Sequence, residues 1–215
     1  LEMGLFNSDK LFFVPDPILD IDKFISQTKD LKKKKMNIQN NFFIAVGRLT
    51  KQKNFKYLIN EYSNFLKSSN SLNQNLLIFG EGEERKNLQD QINYLKLNDK
   101  IKLMGFTDEI YTFMKKADAF ILSSLWEDPG FVIVEAALCN LFIISSNCKN
   151  GPSELLENGR GGILFETNKK NALRDALFEF YSIKDKYDKV LISKKNCKKF
   201  TLFNYNESFK KLILN

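Results

Sequence analysis

Two glutamates, Glu127 and Glu135, have a spacing in this sequence that could serve chemistry. Seven residues separate them, and residues 123–135 have the pattern of a strand end, a tight acidic loop and the start of a helix. Asp128 is predicted to cap this helix through its side-chain oxygen, and Pro129 suits the first helical position, where no N–H is needed. One carboxylate is therefore predicted at the mouth of the helix and the other more than a turn inside it.

Glu135 is the only polar side chain between residues 131 and 138, which predicts a buried helix. An unpaired carboxylate there would be costly, so Glu135 must have a partner. Either it is a structural carboxylate bonded to backbone N–H groups or a hydroxyl, or it binds ligand hydroxyls. Glu127 favours the second interpretation, because the helix N-terminus between the two acids presents free N–H groups to an anion. Two such acids around a phosphate-binding helix end suit a nucleotide sugar.

The elements that must position these acids alternate along the chain. Apolar segments predict buried strands at residues 42–46, 75–79, 100–104, 119–122, 141–144 and 162–165. Helical spacing is found at residues 55–66, 83–95, 108–116, 131–139, 153–157, 169–182, 186–199 and 205–214. This alternation predicts an α/β fold, a Rossmann-like, doubly wound parallel six-stranded sheet with helices on both faces and a helical C-terminal tail.

Ligands of such sheets bind outside the carboxyl ends of the strands, so the residues after each strand are candidates for a site. Arg48 and Lys53 follow the first predicted strand, Phe106 follows the third, and Glu127 follows the fourth. Arginine can fork onto phosphate oxygens, and lysine can act as a movable point charge. A solvated basic loop is the alternative for both cations, but their position facing a helix mouth favours phosphate. Phe106 could pack on a nucleobase or belong to the core.

The composition excludes several classes of protein. The 215 residues include no histidine, which excludes Ser-His-Asp and Cys-His nucleophiles and histidine-ligated metals. Three cysteines without C-x2-C spacing predict neither a disulfide framework nor a zinc site, and they favour a reducing compartment. The net charge of +7 would suit nucleic acid, an anionic membrane surface or anionic substrates. No basic stripe with interleaved aromatics is present, so nucleic acid is not expected as a partner.

Residues 127–135 resemble the E-x7-E signature of retaining glycosyltransferases with the GT-B fold (group 1), which pair two Rossmann-like domains around a cleft. The resemblance covers roughly residues 12–215 and only the C-terminal, donor-binding domain. It implies that Glu127 is catalytic, contacting donor-sugar hydroxyls and stabilising charge as the glycosidic bond breaks. It also implies that Glu135 holds the ribose hydroxyls.

The same resemblance assigns a diphosphate-binding group. Residues 47–54 are similar to the family's diphosphate-binding loop, which implies this role for Arg48 and Lys53. Gly130 and the backbone N–H groups of Phe131 and Val132 join them at the helix start. Many members carry Gly-Phe-Gly after the first glutamate, and only Gly130 of that sequence is kept here. No D-x-D motif that could bind a metal diphosphate is apparent after the predicted strands, so no metal cofactor is expected, and the cations and the helix end would balance the leaving-group charge.

The turn Gly80-Glu81-Gly82 is a weak match to the dinucleotide-binding fingerprint. The third glycine is missing, and the acids at positions 81, 83 and 84 would repel a pyrophosphate, which excludes a dehydrogenase. A G-E-G turn is common at this place in the glycosyltransferase family, so Gly80 is predicted to bind substrate, as is Phe106. Residues 150–154 resemble a segment of envelope-polysaccharide members, although a turn followed by a helix start is preferred as their local role.

The resemblance implies transfer of a sugar from a nucleotide-diphosphate sugar, a UDP-sugar or a GDP-sugar, with retention of anomeric configuration. The implied setting is bacterial cell-surface polysaccharide synthesis in the cytoplasm, at the inner face of the membrane, with peripheral membrane association of the whole protein. The acceptor, a glycan or a lipid-linked glycan, would bind an N-terminal domain outside this chain, so the chain alone is expected to be inactive. The alternative is a non-catalytic nucleotide-sugar-binding subunit that requires a separate acceptor-binding partner.

Three regions follow from this assignment. Residues 1–37 are expected to form an interdomain strand and a basic linker, with an extended segment at residues 11–17 that ends at prolines. Residues 38–200 form the predicted Rossmann-like domain. Residues 201–215 are predicted to be a C-terminal helix that packs toward the N-terminal domain.

Overall fold

The computed structural model describes residues 24–26, 29, 41–69, 73–201, 204–207 and 210. The predicted extended segment at residues 11–17 and the basic linker up to residue 37 lie almost entirely outside these residues. Within the predicted C-terminal helix, residues 204–207 are helical, and most of the remainder lies outside the described residues.

The sheet of the described residues has six strands, and their order is β3-β2-β1-β4-β5-β6. All neighbouring strands run parallel. The predicted doubly wound, six-stranded sheet is therefore confirmed. The strands are β1 Phe42–Val46, β2 Asn75–Phe79, β3 Ile101–Gly105, β4 Ala119–Leu122, β5 Phe142–Ser146 and β6 Ile163–Phe165.

Helices cover both faces of this sheet. Because side chains alternate along a strand, Phe43 and Ala45 of β1 enter one core, whereas Phe42 and Ile44 enter the other. The helices are α1 Phe55–Ser68, α2 Arg85–Tyr94, α3 Ile110–Met114, α4 Phe131–Leu138, α5 Pro152–Leu155, α6 Ala172–Ser182 and α7 Tyr187–Cys197, with 3-10 turns at Lys51–Lys53 and Lys198–Phe200. The first core contains residues of α1, α2 and α6, the second contains residues of α3, α4 and α5, and α7 contributes to both.

The strand order reverses between β1 and β4, which lie side by side. In open α/β sheets such a switch point creates a crevice at the carboxyl ends of the strands. The loops that follow these two strands are joined there by hydrogen bonds. The Leu125 N–H donates to the Gln52 carbonyl at 2.8 Å, and Gln52 Nε2 donates to the Trp126 carbonyl at 2.9 Å.

The start of α4 differs from the prediction. The helix begins at Phe131, its N-cap is Gly130 with a φ of 91°, and no side chain caps it. The predictions that Asp128 caps the helix and that Pro129 is its first residue are therefore wrong. The reason is that Gly130, which lacks a Cβ, adopts a left-handed conformation and turns the chain into the helix after both residues. The peptide bond between Asp128 and Pro129 is cis.

The loop after β5 supports the loop that carries Glu127. The Glu127 N–H donates to the Lys149 carbonyl at 3.1 Å. Gly151 has a φ of 116°, and a Cβ built on it would collide with the carbonyl oxygen of Pro129. The segment at residues 150–154 is a turn followed by the start of α5, as preferred from the sequence. Its glycine is thus needed where two loop backbones meet.

Two further features concern the described residues as a whole. Cys139, Cys148 and Cys197 are free and buried, in agreement with the absence of a disulfide framework. Within the described ranges, no helix is both long enough and apolar enough to cross a membrane.

We expect Gly151→Ala to destabilise the protein more than Gly159→Ala. Both glycines have a positive φ, which costs an alanine about 1–2 kcal/mol. A Cβ on Gly159 meets no atom within 4 Å, whereas a Cβ on Gly151 meets the Pro129 carbonyl, and such overpacking adds about 1–3 kcal/mol. Denaturant unfolding of the two variants measures the difference. Equal losses would show that the two loops can separate without cost.

Candidate functional site

Two adjoining clefts open at the carboxyl ends of the strands, and Val46, Gly47, Arg48 and Glu135 line both of them. We call them the polar cleft, of about 530 Å³, and the apolar cleft, of about 410 Å³. The polar cleft is also lined by Gln52, Lys53, Glu127, Asp128, Gly130, Phe131 and Val132. The apolar cleft is also lined by Phe79, Gly80, Glu81, Gly105, Phe106, Thr107 and Ile110. All site residues predicted from the sequence therefore lie on one continuous surface.

Glu127 is 4% exposed and pairs with Lys53. The Lys53 ammonium lies 2.6 Å from Oε1 of Glu127, and the Ser124 hydroxyl donates to the same oxygen. The Ser123 hydroxyl donates to the Lys53 carbonyl at 2.8 Å. Two adjacent serines at the end of β4 therefore hold both members of the ion pair. Removing one member would leave the other charge nearly buried, which typically costs about 3–5 kcal/mol.

Glu135 has the partner that its sequence context required. The Tyr111 hydroxyl donates to Oε1 of Glu135 at 2.9 Å. Burial raises the pKa of Glu135, and the hydrogen bond from Tyr111 opposes that rise. Burial and the neighbouring carboxylate also raise the pKa of Tyr111. Within the described residues, no group donates to the other oxygen of Glu135. Its binding of ligand hydroxyls therefore stays a prediction beside its structural hydrogen bond.

The N-terminus of α4 borders the polar cleft. The Ile133 N–H donates to the Gly130 carbonyl at 2.9 Å. Among the described residues, the N–H groups of Phe131 and Val132 have no backbone acceptor. They are free to meet an anion in the cleft, where the positive end of the helix dipole would favour it.

Arg48 is exposed and lines both clefts. Its guanidinium forms no ion pair or side-chain hydrogen bond within the part of the chain that the structure describes. Lys53, five residues further along the loop, is instead bound to Glu127. Arg48 therefore lines the clefts and is available to an anionic ligand without breaking an existing contact.

Phe106 is 75% exposed, so the core interpretation of this side chain is wrong. It lines the apolar cleft and is available to a flat apolar group. Gly80 has a structural reason to be glycine, because a Cβ there would collide with the Gly47 carbonyl. The loops after β1 and β2 approach each other at this point. Contact of Gly80 with substrate stays a prediction.

Sequence reasoning missed the residues that hold the two acids. Ser123 and Ser124 could have been noticed as hydroxyls at a strand end just before Glu127. Tyr111 carries no such signal, because its contact with Glu135 depends on how α3 packs against α4. Among the described residues, no group of three or more acidic or cysteine side chains could hold a metal ion.

The family follows from comparison with known proteins. The model of the family described as "Glycosyl transferases group 1" matches residues 26–197. The chain belongs to this family. Its fold matches that of solved relatives, among them Anabaena HepE in complex with UDP and glucose, with a TM-score of 0.75. That match has 22% identity and covers 92% of this chain and 55% of HepE.

Two curated relatives have named activities. Escherichia coli UDP-Gal:alpha-D-GlcNAc-diphosphoundecaprenol alpha-1,3-galactosyltransferase is 32% identical over 206 residues, which cover 92% of this chain and 51% of that enzyme. Campylobacter jejuni N-acetylgalactosamine-N,N'-diacetylbacillosaminyl-diphospho-undecaprenol 4-alpha-N-acetylgalactosaminyltransferase is 30% identical over 140 residues, which cover 65% of this chain and 37% of that enzyme. The chain spans about half or less of the length of the curated relatives it matches.

We expect Glu135→Gln to stabilise the protein increasingly as the pH rises. The raised pKa means that, above the ordinary value of 4.5, the unfolded chain ionises before the folded one. The wild type therefore loses stability as the pH rises through this window, and an uncharged glutamine does not. Unfolding free energies between pH 4.5 and pH 8 measure this trend. Glu83→Gln, at an exposed carboxylate, is the control. If the difference in unfolding free energy between Glu135→Gln and the wild type stayed constant with pH, the prediction would be contradicted.

Proposed function

We propose that this chain binds a nucleotide-diphosphate sugar and forms the donor-binding part of a glycosyltransferase that retains anomeric configuration. The observation that carries the proposal is the convergence of Glu127, Glu135, Arg48 and the N-terminus of α4 on the joined clefts. Membership in the group 1 family supports the reaction class. The E-x7-E signature supports retention.

The residues that line both clefts suggest where the base, the ribose and the diphosphate of the ligand would lie. Glu135 lines both clefts, so the ribose would lie there, between a base in the apolar cleft and a diphosphate in the polar cleft. The base would pack on Phe106 beside the Gly80 turn. This order puts the sugar nearest Glu127, beyond the diphosphate.

The chain would promote the reaction by stabilising the charges that develop as the glycosidic bond breaks. The bond between the anomeric carbon and the diphosphate oxygen breaks, the acceptor hydroxyl oxygen forms the new bond to that carbon, and the hydroxyl proton passes to the leaving diphosphate. Arg48, Lys53 and the N–H groups of Phe131 and Val132 would balance the charge on the leaving diphosphate without a metal cofactor. Glu127, held by Lys53 and Ser124, would contact sugar hydroxyls and stabilise positive charge at the ring.

The relatives support a lipid-linked glycan as the acceptor. The Escherichia coli and Campylobacter jejuni enzymes are named for diphospho-undecaprenol-linked substrates. We infer that the whole protein works in cell-surface polysaccharide synthesis, at the inner face of the membrane, with peripheral membrane association. The acceptor would bind a second domain, so this chain would bind donor nucleotide and transfer little sugar.

Calorimetric titration with UDP, GDP and ADP tests the donor site. We expect one of them to bind selectively, and we expect Glu135→Ala to weaken it by about ten- to a hundred-fold, because a buried polar contact is worth roughly 1–3 kcal/mol. Glu83→Ala, at an exposed carboxylate outside both clefts, should leave the affinity unchanged. If none of the nucleotides binds to chain whose circular dichroism shows it folded, the proposal fails for this chain.

Arg48→Ala tests the diphosphate contact separately. Hydrogen bonds to a charged group are worth about 1.5–3 kcal/mol, so the affinity for the nucleoside diphosphate should fall about 10- to 150-fold. The affinity for the parent nucleoside should not change, because it has no phosphate. Arg160 lines neither cleft, so Arg160→Ala is the matched control. An equal loss for nucleoside and diphosphate would argue against phosphate binding by Arg48.

A further inference from the structure

Tyr111 reaches Glu135 from a different element. It belongs to α3, whereas Glu135 lies within α4, and the two side chains are joined by one hydrogen bond of 2.9 Å. Its neighbour Ile110 lines the apolar cleft, so α3 also forms part of the cleft wall. The Tyr111 hydroxyl is therefore close to the place where a ligand would meet Glu135.

Within the described residues, the hydrogen bond from Tyr111 occupies one of the two carboxylate oxygens of Glu135. Oε1 of Glu135 accepts from Tyr111, whereas Oε2 receives no hydrogen bond from any described residue, and the side chain faces both clefts. Glu127 shows the same arrangement. Its Oε1 accepts from Lys53 and the Ser124 hydroxyl, and none of the described residues donates to its Oε2. In both acids, a protein hydroxyl holds one oxygen and the other is available.

We propose that Tyr111 is a positioning residue, which fixes Oε1 of Glu135 so that Oε2 meets the ribose hydroxyls of the donor nucleotide. This inference rests on the proposed function, because it needs Glu135 to bind ribose. A carboxylate that is already fixed at one oxygen loses less conformational entropy when it binds a diol. Its hydrogen bonds to the ribose hydroxyls are therefore stronger than those of a mobile carboxylate.

The hydroxyl and the ring of Tyr111 have separable roles. The ring packs edge-to-face with Phe24, with centroids 5.2 Å apart. Tyr111→Phe keeps this packing and removes only the hydroxyl. The hydroxyl also opposes the rise in the Glu135 pKa, so its loss would favour the protonated acid, which accepts hydrogen bonds less well.

The test compares two probes, UDP and 2′,3′-dideoxy-UDP, with the guanosine pair used instead if GDP is the nucleotide that binds. The affinity for UDP divided by the affinity for the dideoxy compound measures how strongly the protein recognises the ribose hydroxyls. We expect Tyr111→Phe to lower this ratio about tenfold while leaving the affinity for the dideoxy compound unchanged. Tyr181→Phe is the matched control, since it removes a tyrosine hydroxyl that donates to Gln74 at 3.0 Å, outside the lining of both clefts. It should leave the ratio unchanged.

A double-mutant cycle separates positioning from a general loss of stability. If Tyr111 acts through Glu135, Tyr111→Phe should have no further effect on the ratio in a Glu135→Ala background. An unchanged ratio in Tyr111→Phe, when Glu135→Ala lowers it, would overturn this inference alone. An unchanged ratio in Glu135→Ala would overturn the proposed ribose contact and the inference with it.

Discussion

The ion pair between Lys53 and Glu127 joins the two loops on which the clefts depend. These residues are 74 positions apart in sequence, and each follows one of the central strands, β1 or β4. Both side chains are largely buried, so neither charge is favourable without the other. Ser123 and Ser124 reinforce the pair from the end of β4. The polar cleft keeps its shape because this pair holds its two sides together.

Close backbone contacts complete the frame around that pair. Gly80 lies against the Gly47 carbonyl, and Gly151 lies against the Pro129 carbonyl. Neither position has room for a Cβ, so the loops after β1 and β2, and those after β4 and β5, meet backbone to backbone. The loops that carry the cations and Glu127 are therefore supported from both sides of the switch point. This support explains how irregular segments can hold a defined cleft.

The two acids of the site are stabilised in different ways. Glu127 has a cation as its partner, whereas the partner of Glu135 among the described residues is the neutral hydroxyl of Tyr111. Burial therefore raises the pKa of Glu135. Such a carboxylate gains when further donors approach, and the two hydroxyls of a ribose would supply them. Burial makes the charged form of Glu135 energetically costly in the free protein. The same burial would strengthen its hydrogen bonds to the hydroxyls of a bound nucleotide.

The sequence by itself determined the order and type of the elements, because strands buried on both faces read as short apolar runs between helical repeats. It also determined which residues follow the strands, and parallel strands bring these residues to one edge of the sheet. Only the tertiary structure decided that Gly130 is the N-cap of α4, that Phe106 is exposed, and that Tyr111 holds Glu135. The exposure of Phe106 and the contact of Tyr111 with Glu135 depend on packing between segments distant in sequence, and local spacing carries no information about such contacts. The start of α4 is set instead by the left-handed conformation of Gly130.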